Sequence, residues 1–163
     1  MATQTIDFND VTSVTFNNQD VYEVYLNNTK MWNATPIGYY ISKVYNGVEY
    51  FLNLDSAGNI LTTTTPNTVW HVEDYNVYDI DSGRSLYVYT SGSTSTLISI
   101  DPQQYSTNVR YSATRGVLFA SASGSVVYYI TINRINNVPT FSGTRGGSGT
   151  YIPYVLTFTP VYQ

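Results

Sequence analysis

From Tyr39 to Phe158 the chain repeats one plan at intervals of about 40 residues. This repeat constrains the fold more than any single motif. The first copy offers four strand candidates, at 39–44, 50–54, 59–63 and 69–73. The second offers 77–80, 85–89, 96–100 and 108–112, and the third 117–120, 126–132, 139–142 and 154–158. Val69, Val109 and Val155 fall at comparable places in the three copies. The candidates are rich in Val, Ile, Thr and Tyr, residues that fit a pleated, half-buried surface. Turn formers bound them, such as Asn46-Gly47, Ala57-Gly58-Asn59, Asp81-Ser82-Gly83 and Ser91-Gly92-Ser93. Many short strands at this spacing read as a barrel or a sandwich, and helical periodicity is nearly absent.

Three copies of four strands is the strand count of a β-trefoil, a six-stranded barrel capped by three hairpins. The expected fold class is therefore all-β, an N-terminal β-meander followed by a pseudo-threefold β-trefoil, with a β-sandwich as the alternative. The third copy is longer than the others, and Gly143-Thr144-Arg145-Gly146-Gly147-Ser148-Gly149 reads as the flexible loop that takes up the excess.

Ahead of the body, Pro36 and Gly38 interrupt the strand pattern, so 33–38 reads as a linker. The expected division is 1–35, an assembly or attachment segment, and 36–163, the trefoil-like body. The first segment carries its own ten-residue repeat, in which 14–21 (VTFNNQDV) matches 24–31 (VYLNNTKM). Each copy reads strand, Asn-Asn turn, strand, because Asn tolerates the positive φ of tight hairpin turns. The expectation is a three-stranded meander too small to be stable alone. It should lean on the body, on a sister subunit or on a larger assembly. Phe16, Val21, Tyr22, Tyr25, Leu26, Met31 and Trp32 are the candidate assembly-interface residues.

Composition limits the partners. Charged residues make up only 11% of the chain, against an apolar content of 42%, so a folded core is expected rather than disorder. Seven Lys and Arg against eleven Asp and Glu leave a net charge of −4. No basic stripe is present to displace the counterions of a nucleic acid, so none is expected as a partner. The N-terminus has neither the basic nor the apolar part of a signal peptide. No apolar run approaches the ~20 residues of a membrane span, so no membrane insertion is expected. The absence of cysteine excludes disulfides and thiolate metal sites, and suits assembly in a reducing cytoplasm.

The pattern Val14–Phe16, Asn17-Asn18, then 21–26, Asn27-Asn28 and 30–32 resembles short N-terminal segments of tailed-phage virion proteins. Those commonly read Val-Thr-Phe-Asn-Gly, Val, Val-Tyr-Val-Asn-Gly and a closing Val-Trp. Asn18 and Asn28 stand where such segments carry Gly, a departure that keeps positive φ accessible. The resemblance covers 11–32 and implies an attachment module followed by a variable domain. The body resembles β-trefoil lectin-like domains. Tyr50-Phe51-Leu52-Asn53-Leu54, Ile60-Leu61 and Val69-Trp70-His71-Val72 follow the trefoil order of Tyr-Leu, turn, strand, Trp-x-Val. The second and third copies lack the Trp. The Gln-x-Trp motif of ricin-type lectins is absent, so no sugar-binding residue is carried over.

Catalytic chemistry finds little footing. His71 is the sole histidine, with Glu73 and Asp74 beside it and no single Ser or Thr singled out as a nucleophile; it reads as a half-exposed strand residue. The carboxylates a glycosidase would need are Asp55, Glu73, Asp74, Asp79, Asp81 and Asp101. Asp55, Asp81 and Asp101 all sit at turn signals. Asp79-Ile80-Asp81-Ser82-Gly83 begins like a calcium loop, but its twelfth position is Thr90, which offers no bidentate carboxylate, so an Asx-turn is expected. The expectation is no enzyme, no cofactor and no metal.

The 17 tyrosines are the better clue. Tyr offers rigid contact area with a polar tip, suited to interfaces and to sugar stacking. Tyr40, Tyr87, Tyr89 and Tyr128 are the candidate glycan contacts. The resulting expectation is a virion protein assembled in the host cytoplasm, serving as head decoration, head fibre or tail-associated subunit. Its partners would be capsid or tail proteins, further copies of itself, and cell-surface carbohydrate. The alternative is a free carbohydrate-binding lectin module.

Overall fold

The computed structural model describes residues 14–16, 19–26, 29–91, 95–102, 106–121, 126–146 and 154–162. These are strands and turns with no α-helix among them, as the β-branched and aromatic composition requires. By contact the chain divides into two units, Met1–Ile37 with Tyr162–Gln163, and Gly38–Val161.

The first unit holds β1 (Val14–Phe16), β2 (Gln19–Val21), β3 (Glu23–Leu26) and β4 (Thr29–Asn33). The repeat does not make a continuous meander. Among the described residues β1 pairs only with β2, and β3 only with β4, as two antiparallel hairpins. The break falls at Tyr22, which leaves the ladder. Its carbonyl accepts the Ala34 N–H at 2.8 Å, and its ring stacks on Tyr162 at 4.3 Å. The β3–β4 pair carries a register shift between Val24 and Tyr25, as a β-bulge produces. The two Asn-Asn turns lie outside the described residues.

The body begins with β5 (Gly38–Tyr45), β6 (Val48–Leu54), β7 (Ile60–Thr63) and β8 (Trp70–Val72). Next come β9 (Val77–Asp79), β10 (Tyr87–Ser91), β11 (Ser95–Ser99), β12 (Thr107–Asn108) and β13 (Arg110–Ser112). It ends with β14 (Val117–Ser121), β15 (Val127–Ile135), β16 (Val138–Arg145) and β17 (Thr157–Val161). All pairings among the described residues are antiparallel, and the sheets curl. The first body strand pairs with the last, β5 with β17 from Gly38↔Val161 to Ser42↔Thr157. β5 also meets β8 at Tyr39↔Trp70, β8 pairs with β9, and β13 with β14. Further backbone bonds link residues at the strand ends: Leu86 N–H to Val77 O and Asp79 N–H to Arg84 O around the Tyr78↔Ser85 bridge, Val109 N–H to Leu86 O, and Leu156 N–H to Gly116 O.

Three hairpins extend from these strands, β6–β7 from β5, β10–β11 beside β12, and β15–β16 from β14. β16 lies beside both β7 and β11. The core draws Ile41, Leu52 and Trp70 from the first set of strands. Val77, Val88, Ile98 and Val109 come from the second, and Leu118, Ile130, Phe141 and Leu156 from the third. Each such side chain contributes about 1.5–3 kcal/mol on burial. Trp70 is fully buried, and its indole N–H donates to the Leu52 carbonyl at 2.8 Å.

Several local expectations shift. Gly38 is the buried first residue of β5 rather than a linker hinge. A Cβ there would lie 2.6–2.7 Å from Ile80, Val69 and the Trp70 carbonyl, so only Gly admits this approach. Gly143-Thr144-Arg145 is strand, not loop, and extends β16 opposite Ile130, Tyr129 and Tyr128. The β15–β16 hairpin turns at Asn136 and Asn137, with φ of 51° and 65°. The β5–β6 turn uses Asn46 and Gly47 in the same left-handed region, at 51° and 80°.

Candidate functional site

Two turns of the body face each other across a cleft of about 340 Å³. One is the β6–β7 turn, residues 55–59; the other, residues 80–84, follows β9. Leu54 and Ile100 supply apolar lining, and Asp55, Asp79, Asp81, Asn67 and Arg84 supply polar lining.

Each turn is built by an aspartate that bonds its own backbone. Asp55 Oδ1 accepts the Ala57 and Asn59 N–H groups, both at 2.9 Å, and Oδ2 accepts the Asn59 amide at 3.0 Å. The Asn59 side-chain amide, then the Asn59 backbone N–H, hold the Asp55 carboxyl below its ordinary pKa. Across the cleft, Asp79 is buried, and its Oδ2 accepts the Ser82 N–H at 3.0 Å and the Ser82 hydroxyl at 2.6 Å. The Asx-turn expected at 79–83 is therefore present, with Asp79 as its acceptor. Asp81 sits at the exposed edge and takes no part in that bonding.

Arg84 joins the two sides. Its guanidinium forms an ion pair with Asp101 and lies 3.0 Å from where a Cβ on Gly58 would stand. Gly58 has φ of +83°, so the glycine supplies both the turn conformation and the room for the guanidinium. Beneath the β6–β7 turn, buried Asn53 accepts the N–H groups of Asn67 and Thr68 through its side-chain oxygen. This fixes the Asn67–Thr68 wall of the cleft.

The candidate glycan tyrosines lie elsewhere. Tyr40 is half-buried on β5 opposite Thr159, Tyr87 and Tyr89 are half-buried on β10, and Tyr128 packs against the core from β15. They sit on three different strands, and none of them lines the cleft. Of the candidate assembly residues, Phe16 is 70% exposed, Tyr22 is 40% exposed, and Val21 is half-buried opposite Val14. Tyr25 and Leu26 fall on β3 and Met31 and Trp32 on β4, with side chains outside those described.

His71 is half-exposed, 3.0 Å from Glu73 and stacked on Tyr78 at 4.7 Å. Among the described residues, no group of three His, Cys, Asp or Glu side chains is arranged to hold a metal ion. The cleft was missed in the sequence because each of its turns reads locally as a self-contained Asx-turn. Only the fold brings 55–58 and 79–84 together. Comparison with known protein families, curated proteins and solved structures finds no match to this chain.

Proposed function

We propose that this chain is a non-enzymatic structural protein of a tailed-phage virion. Its first unit attaches to capsid or tail proteins, and its body is a β-trefoil that recognises carbohydrate. The observation that carries the reading is the make-up of the first unit. Its strands are three to five residues long and form two hairpins, each of which is a two-stranded sheet. Such hairpins are marginal in water by themselves, and Phe16 exposes 70% of its surface on one of them. Hairpins this small with an outward aromatic ring are suited to completion by a neighbouring polypeptide.

The pairing of β5 with β17 supports a trefoil over a sandwich, because it joins the first and last body strands into one ladder. In this reading the hairpins β6–β7, β10–β11 and β15–β16 serve as the three caps a trefoil requires. In the assembled virus several copies would present their bodies together, which multiplies weak sugar affinities. Assembly would take place in the host cytoplasm.

The cleft between the two Asp-built turns favours a second reading, a free lectin module. Replacing Phe16 by Asp in the full chain separates the two. Phe16 is exposed, so the change should leave stability within about 0.5 kcal/mol. A virion protein loses incorporation into purified particles at least tenfold. A free lectin is absent from particles with or without the change.

A further inference from the structure

We propose that the cleft between the 55–59 and 80–84 turns binds one pyranose ring of a neutral saccharide. This rests on the reading of the body as a carbohydrate-recognising domain, and gives that reading a site and a sugar class. The volume, about 340 Å³, falls at the small end of ligand pockets, which suits a single ring and little more.

The lining matches the two sides of a sugar. Saccharide hydroxyls both donate and accept, and the cleft offers both functions. Asp55 and Asp81 carboxylate oxygens accept, while the Arg84 guanidinium and the Asn67 amide donate. Leu54 and Ile100 give an apolar surface for the C–H face of the ring. Asp55 is already held by three hydrogen bonds from its own turn, and Arg84 by Asp101. These groups therefore lose little freedom when a ligand arrives.

Charge selects the class of sugar. Asp55, Asp79 and Asp81 line the cleft together with one guanidinium, Arg84, which Asp101 already engages. A sialic acid, a uronic acid or a phosphorylated sugar would meet carboxylates of like sign. Neutral hydroxyls meet acceptors.

The test uses the full-length, isotope-labelled protein. Methyl glycosides of glucose, galactose, mannose and N-acetylglucosamine are titrated up to their solubility limits, with N-acetylneuraminic acid and glucuronic acid alongside. Amide shifts should saturate at Ala57, Asn59, Asn67, Ser82 and Arg84 with at least one neutral glycoside, and neither acid should match it. Asp81→Asn and Arg84→Gln should each weaken binding about fivefold or more. The fold should survive Asp81→Asn, because Asp79 carries the bonds of that turn. Shifts confined to β10 around Tyr87 and Tyr89, untouched by either variant, would overturn the cleft and leave carbohydrate recognition standing. No saturable shift with any sugar, together with a blank glycan array, would overturn both.

Discussion

The backbone N–H of Phe141 donates to the Thr62 hydroxyl at 2.9 Å, across 79 residues of sequence. The bond ties β16, in the third set of strands, to β7 in the first, where two of the three hairpins adjoin. Thr62→Val keeps the shape and removes the acceptor, leaving a part-buried N–H without its partner. Unfolding in urea should show a loss of about 1–3 kcal/mol, and Thr62→Ser should recover most of it.

Trp70 fills the centre of the first set of strands and donates its indole N–H to the Leu52 carbonyl. Trp70→Phe removes that donor and leaves a void. The expected cost is about 2–4 kcal/mol, read from denaturant midpoints.

At Gly38 the structure needs closeness rather than flexibility. Gly38→Ala would drive a methyl group against the Trp70 carbonyl at 2.7 Å and against Val69 and Ile80. Backbone cannot yield as a side-chain tip can, so a loss of about 1–3 kcal/mol is expected in thermal or urea unfolding.

All-β character was legible because nearly every strand carries Val, Ile, Thr or Tyr between turn residues. The starts of β5, β9 and β14 fall within a residue of where the pattern puts them. The third set was harder to read. The strand expected at 126–132 stops before Asn133, yet the Asn133 side-chain amide donates to Ser142 and Thr144 across the hairpin, and the strand runs on to Ile135. The last strand was expected to stop at Phe158, short of Pro160, but β17 continues through it opposite Tyr39. Proline is tolerated where no ladder hydrogen bond depends on its missing N–H. The cleft was invisible to sequence because Asp55 and Asp81 belong to turns that only the folded chain brings together.

The Asp55 turn should also mark the acid response. Its carboxyl is held below its ordinary pKa in the folded chain, first by the Asn59 side-chain amide. A carboxylate depressed in this way contributes stability above its unfolded-state pKa, and loses it as pH falls through the lower folded-state value. Urea midpoints of wild type and Asp55→Asn should therefore differ most near neutrality. They should converge as pH falls below the ordinary aspartate range, at about 4.

Cryo-electron microscopy of purified virus particles containing this chain tests the account most directly. Density should place β1–β4 against a different polypeptide, with Phe16 covered at that junction. Particles that lack the chain, or in which Phe16 remains open to solvent and β1–β4 touch only their own subunit, would contradict it.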